Sequence, residues 1–315
     1  MTIPRESLDG IDDDRKRPVP EVPVFDYATA DPDDVVEGLI KAGGCVIRNT
    51  VSLEDLAKIE ADTRPYLDAD GPWKGSIFPS QTRRVKGLAD KSKAFMDAIV
   101  KNSLYQAVSD IMLSSTITMW WGDKIRTSTS RPQLNNTIIF SIGPGAEHQG
   151  LHRDDIIHHH VLERMTAEQY KIGQDVGIGW FVAGKKTTKA NGATRFIPGS
   201  HLWDQMTPSD NDLAFFAELE PGDAFIMLSS CYHGGSANTT TDEERLIYSC
   251  FMTKGFLRQE ENQYLGCDKE KLKEMHDVET LKLIGYDYSR PFLGWTPTGH
   301  PLTAIFGGVD DGDKF

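Results

Sequence analysis

Apolar positions change rhythm along the chain. Over residues 33–42, Val35, Val36, Leu39 and Ile40 recur at the spacing of one helix face, and Gly43-Gly44 follows as a stop. Ser52-Leu53-Glu54-Asp55 reads as a capping box opening a helix through Leu56, Ile59 and Tyr66. Residues 91–100 and 104–112 repeat the helical pattern, with Phe95, Met96, Ile99 and Val100, then Ala107, Val108, Ile111 and Met112. After Ser114 the runs shorten. Residues 116–121, 136–142, 177–182, 224–228 and 246–253 are β-branched or aromatic, and Gly, Pro, Asn or Asp clusters separate them. Helices first and short strands later predict a mainly β fold with flanking helices, an antiparallel sandwich or barrel buttressed on one side. The polar residues 1–20, interrupted by Pro18 and Pro20, read as a flexible lead-in, and residues 21–315 as one domain whose tail returns to helix from Lys269.

Composition narrows this picture. With 315 residues, 39% hydrophobic and 26% charged, the chain can bury a large core and resembles neither a disordered nor a membrane protein. No apolar run approaches the roughly 20 residues of a membrane helix, and residues 1–20 hold no signal-like stretch, so a cytoplasmic protein is expected. Asp and Glu outnumber Lys and Arg, 47 to 34, for a net charge of −13. That sign disfavours nucleic acid and admits a small neutral or cationic molecule. Cys45, Cys231, Cys250 and Cys267 are far apart with no CxxC, so they read as buried thiols rather than zinc ligands or disulfides.

The candidate chemistry begins at Gln149-Gly150-Leu151-His152-Arg153-Asp154. On an extended strand, His152 and Asp154 share a face and present an imidazole beside a carboxylate. His233, after the apolar strand 224–228, supplies a second imidazole. Two histidines and one carboxylate hold one face of an octahedral Fe(II) and leave three positions open, whereas zinc more often draws a tetrahedral set. Arg245, twelve residues after His233, offers a guanidinium that matches the far carboxylate of a chelating 2-oxo acid. Glu243 and Glu244 could instead hold Arg245 in a surface ion pair. His158, His159 and His160 cannot all aim at one ion from regular structure and suggest a loop over the pocket, with His158 as a substrate contact. Trp120 and Trp121 alternate on a strand, so at least one is expected in the core, and Trp120 is also a candidate for the pocket. Asn191, Gly192, Pro198 and Gly199 read as turn builders, and His201 as packing beside Trp203.

Several motifs in order extend these residues. They are the Gln149–Asp154 segment, Asn191-Gly192-Ala193-Thr194, Pro198-Gly199-Ser200-His201-Leu202-Trp203, Glu220-Pro221-Gly222-Asp223-Ala224, and His233-Gly234-Gly235 with Arg245. Thr82-Arg83-Arg84-Val85 is a weaker match, expected in a loop. In this set the chain resembles the phytanoyl-CoA dioxygenase-like Fe(II)/2-oxoglutarate oxygenases, above all the fungal members that tailor alkaloids, terpenoids and peptides. The resemblance implies a double-stranded β-helix (a cupin-like jelly-roll barrel) with iron held by His152, Asp154 and His233. It implies that Arg245 and Thr194 hold the distal carboxylate of 2-oxoglutarate, and that Gln149 donates to the carboxylate nearest the metal. Lys86 falls where relatives line the pocket. Some relatives carry a hydroxyl where this chain has Gly235, with Ser236 one residue later, so no hydroxyl contact to the co-substrate is expected from this loop.

The activity implied is O₂-dependent oxidation of an unactivated C–H bond: hydroxylation, desaturation, cyclisation or epimerisation in secondary metabolism, alkaloid biosynthesis included. A non-oxidative metal-dependent isomerase, a zinc hydrolase and an inactive binding protein on the same barrel are the rival readings. Homodimers are common among relatives, and no feature of the sequence decides for or against one.

Overall fold

The computed structural model of the protein describes residues 13–75, 78–310 and 312. Four helical elements precede most of the strands: α1 (Pro32–Ala42), α2 (Leu53–Ala69), α3 (Lys93–Phe95) and α4 (Ser103–Leu113). Their ends are set by local chemistry. The Asp31 side chain accepts from the Asp33 amide, Pro32 occupies the first turn, and Gly43 ends α1 at φ 78°. Ser52 Oγ caps α2 by accepting from the Asp55 amide at 3.1 Å, while the Asp55 carboxylate takes the Ser52 hydroxyl at 2.7 Å rather than closing a capping box. The expected helix over residues 91–100 is α3 followed by a π-helical turn, Met96–Val100. Short helices α5 (Gln263–Gly266), α6 (Lys269–Met275), α7 (Val278–Ile284) and α8 (Thr303–Phe306) form the tail.

The strands are β1 (Val24–Asp26), β2 (Gly44–Arg48), β3 (Thr82–Lys86), β4 (Ser115–Trp121), β5 (Lys124–Ser130), β6 (Gln133–Ile142), β7 (Gly177–Ala183), β8 (Thr194–Phe196), β9 (Phe215–Ala217), β10 (Ala224–Leu228), β11 (His233–Gly235) and β12 (Arg245–Thr253). A seven-stranded sheet runs β1-β2-β10-β7-β12-β6-β3, and a three-stranded sheet runs β11-β8-β9. All pairs in both sheets are antiparallel except β1 with β2. The result is mainly β with flanking helices, two sheets of a double-stranded β-helix that wall a common cavity.

Three strands, β1, β2 and β3, lie in the part of the chain where helical signals dominate. β2 is a continuous buried run, Cys45-Val46-Ile47, and such runs carry no period that separates strand from helix. β3, expected as a loop, is an edge strand paired with β6, its two arginines suiting an edge.

Burial on both faces marks the central strands: every residue of β7, β10 and β12 is buried. One face meets the helices, where Trp180 of β7 stacks on Tyr105 of α4 with ring centroids 5.1 Å apart. One hydrophobic cluster runs from Val22 to Ile305. The four cysteines are free and buried within it.

Two sequence expectations are corrected. β4 and β5 form a separate two-stranded ribbon, and at its tip Trp120 and Trp121 are 70% and 54% exposed, so neither is core. Alternation puts residues on two faces, but at the tip of this ribbon neither face is buried, and burial begins only at Ser128 and Ser130. The expected lead-in divides: residues 1–12 lie outside the described residues, whereas Asp14 is buried, paired with Arg17 and Arg164 and accepting from the Asp204 amide and the Thr207 hydroxyl. Among the described residues, no helix is long and apolar enough to cross a membrane.

Candidate metal centre

His152 and Asp154 reach a common point by a route other than simple strand alternation. His152 forms a one-residue antiparallel bridge with His233, each amide donating to the other's carbonyl at 2.9 Å. Asp154 then opens a short 3-10 turn, Asp154–His158, its amide held by the Ser229 carbonyl at 2.9 Å. The bridge sets the two imidazoles side by side with centroids 4.6 Å apart, and the turn swings the carboxylate beneath them. Asp154 Oδ1 lies 3.4 Å from His152 Nε2, and its Oδ2 lies 3.3 Å from His233 Nε2.

The opposite ring nitrogens are already committed. His152 Nδ1 donates to the Gly150 carbonyl at 2.9 Å, and His233 Nδ1 donates to the Cys231 carbonyl at 3.1 Å. Backbone carbonyls accept only, so both Nε2 atoms are left with lone pairs for a metal. Burial opposes charge on Asp154, yet the His233 and His152 imidazoles hold its carboxyl well below the usual range. Burial likewise opposes charge on His152, and contact with Asp154 outweighs it and raises the imidazole's pKa. Three ligand atoms lie within 4.8 Å of one another, two nitrogens and one oxygen without a thiolate, a donor set that fits ferrous iron with open positions.

All three residues line a cavity of about 960 Å³. Arg245, buried on β12, also lines it; its Nη2 donates to Thr194 Oγ1 at 2.7 Å and its Nε has no partner. Among the described residues, no carboxylate comes within ion-pair distance of it, and burial lowers its pKa to about 10. The ion pair weighed from the sequence is therefore not formed. Glu244 instead takes Arg64 at 2.8 Å and Lys185 at 2.6 Å, and Glu243 accepts from Asn191 Nδ2 at 3.0 Å. A buried guanidinium lacking an anion is costly, and a carboxylate brought from outside could offset that cost.

Gln149 lines the same cavity, its Oε1 accepting from the Gly235 amide at 3.4 Å. The Ser236 hydroxyl, set aside in the sequence reading, also lines the cavity, with its Oγ buried and unpartnered.

Three candidates for the substrate pocket do not line this cavity. Lys86 is exposed at the end of the edge strand β3. His158 Nε2 donates to the Arg258 carbonyl at 3.0 Å, while its neighbours His159 and His160 do reach the cavity wall. Trp120 stands on the exposed ribbon. His201 is buried with Nε2 donating to the Ile40 carbonyl at 3.0 Å, a packing role whose aromatic neighbour is Tyr170 rather than Trp203. Gly192 and Gly199 adopt φ of 105° and 78°, as turn builders do. The inward face of β6 was missed although its alternation was readable: Asn136, Ile138, Phe140 and Ile142 all line the cavity. Glu260 carries no periodic signal and could be found only from the fold.

Comparison with known proteins agrees with this geometry. The family described as Phytanoyl-CoA dioxygenase (PhyH) matches residues 39–246. The chain is 39% identical to dioxygenase himG of Aspergillus japonicus over 286 residues, 88% of each chain. It is 36% identical to dioxygenase cnsJ of Penicillium expansum, covering 91% of this chain and 87% of the relative. Among solved structures, the non-heme alpha ketoglutarate dependent epimerase SnoN from nogalamycin biosynthesis is similar in fold, with TM-score 0.53 and 16% identity over 90% of this chain and 94% of that one. The chain belongs to the phytanoyl-CoA dioxygenase (PhyH) family and is an iron- and 2-oxoglutarate-dependent dioxygenase.

Proposed function

We propose that this enzyme oxidises an unactivated C–H bond of a small neutral or cationic metabolite in fungal-type secondary metabolism, with alkaloid-like compounds the favoured substrates. The convergence of His152, Asp154 and His233 beside a buried Arg245 with no carboxylate of its own carries this reading. The names of its relatives, dioxygenases of Aspergillus and Penicillium, support the pathway class. Four unpaired buried cysteines support a reducing, cytoplasmic setting.

In this reading, His152, Asp154 and His233 hold iron, and Arg245 with Thr194 holds the distal carboxylate of 2-oxoglutarate. When bound, that pair supplies dioxygen activation, in which the oxo acid becomes succinate and CO₂ as one substrate C–H bond is oxidised. The protein's own part is positional. The Gly150 and Cys231 carbonyls keep both imidazoles in the metal-binding tautomer. Gln149, a neutral amide, steadies the metal-proximal carboxylate without competing for iron. Phe140, Phe181 and Phe251 make a dry wall against which the target carbon is held. Hydroxylation, desaturation, ring closure and epimerisation differ in how the substrate is held along that wall.

Anaerobic addition of Fe(II) and 2-oxoglutarate tests the reading: a weak visible charge-transfer band is expected, and its absence in folded protein contradicts it. Oxygen-electrode traces separate it from a non-oxidative isomerase, since only the proposed enzyme consumes O₂.

A further inference from the structure

The cavity has a second charged end. On β6, Ile142 pairs with Arg245, and six residues earlier Asn136 pairs with Phe251. At about 3.3 Å per residue, the two levels are roughly 20 Å apart. The metal ligands lie between them. Phe181 packs 6.4 Å from the His233 ring, and its strand pairs it with Ser249, which faces Ile138. From that level to Asn136 is two residues, about 7 Å.

At the Asn136 level stands Glu260. Its neighbours fasten the segment to the sheet: Gln259 Nε2 donates to the Leu134 and Ile284 carbonyls, and the Glu261 carboxylate accepts from the Gly87 and Thr137 amides. The Glu260 amide donates to Asn135 Oδ1 at 2.8 Å. Glu261 is thus spent on the scaffold, whereas the exposed Glu260 is left in the cavity wall, with Asn136 Nδ2 the one donor to its carboxylate among the described residues. No Lys or Arg among the described residues lies within ion-pair distance of it. Surrounding protein, and secondarily the Asp154 charge, raises its pKa. Independently, Asn136 Oδ1 is buried without a donor. A solvent-exposed carboxylate and a buried amide oxygen without a donor therefore stand together in the cavity wall, which Phe251 also lines.

We propose that Glu260, steadied by Asn136, recognises a protonated amine of the substrate, so that the enzyme acts on small amines with an apolar body and oxidises a carbon a few bonds from the nitrogen. This rests on the oxygenase reading above and names its substrate class. Charge sorts the two ligands: Arg245 repels an ammonium and attracts the oxo diacid, and Glu260 does the reverse, so neither occupies the other's end.

Benzylammonium, benzyl alcohol and benzoate serve as probes, titrated anaerobically into enzyme loaded with Fe(II) and 2-oxoglutarate while the charge-transfer band is followed. Benzylammonium is expected to bind at least about tenfold more tightly than the alcohol, as one charge-assisted contact implies, and benzoate weakest. Glu260→Gln is expected to erase the preference for the amine, Glu260→Asp to retain part of it, and both to leave 2-oxoglutarate affinity unchanged. Equal affinity for amine and alcohol, no response to the amine, or a preference that survives Glu260→Gln overturns the inference while the band itself keeps the oxygenase reading intact. Loss of the band in folded wild-type protein overturns both.

Discussion

The two ends of the cavity are built differently. At the Arg245 end, Arg245 on β12 and Thr194 on β8 are buried and tied by register to neighbouring strands, and the buried Ser236 directly follows β11. At the other end, the rim is loop. Residues 153–162 cross it with Ile156 and Val161 71% and 69% exposed, and Glu260 stands on the irregular segment after β12. The chemistry common to a family belongs where the sheet allows little movement, and selectivity belongs on loops that vary without disturbing the sheet. Iron and oxo acid are therefore expected to be insensitive to changes at the rim, and substrate choice to be sensitive to them.

The largest expected effect comes from the junction of the two ends. His152→Ala removes a proposed metal ligand, so iron content should collapse and succinate formation should fall by more than the roughly 10–100-fold typical of losing a group behind a ligand. Retained turnover would show that the imidazole is not a ligand.

Next is Arg245→Met. Loss of a charge-assisted contact of about 1.5–3 kcal/mol predicts a roughly 10–150-fold weaker affinity for 2-oxoglutarate, read from titration of the charge-transfer band. The same variant should melt no lower than wild type, because Arg245 has no carboxylate to leave behind. A large fall in melting temperature without a change in affinity would make Arg245 a structural residue.

Its sequence neighbour should behave in the opposite way. Burial opposes the ionisation of Glu244, but Arg64, Lys185 and Ser141 more than offset it and lower its pKa to about 2. A carboxyl depressed on folding contributes stability above its unfolded value of about 4.3, and this is lost as pH falls toward the folded value. Glu244→Gln should therefore lower the melting temperature at neutral pH and flatten its decline between about pH 4 and pH 2. Identical pH profiles for the two proteins would contradict this.

Much of the site was legible and much of its surroundings was not. His152, Asp154, His233 and Arg245 were named from the order of short motifs, and the structure brings them to one cavity although the strand alternation invoked for the first pair is absent. A motif carries its local backbone with it, so the bridge and the turn need not be guessed. Lys86, His158 and Trp120 were chosen on position and residue type, which say nothing about which face of an element meets the core. Trp120 shows the physical reason, since its ribbon pairs only with itself. β2 and β3 were hidden for opposite reasons, the first too uniformly apolar to show a period and the second too charged to look like a strand. Accordingly, Trp120→Ala gives the smallest expected effect: unchanged iron and oxo-acid binding, and stability within about 0.5 kcal/mol by denaturant melt.

The most direct test of the central claim is a crystal structure of the enzyme with Fe(II) and 2-oxoglutarate, grown without oxygen. The account predicts an ion bound by both Nε2 atoms and Asp154, with the co-substrate's far carboxylate on Arg245 and Thr194. An ion held by other residues, or a carboxylate lying away from Arg245, would contradict it.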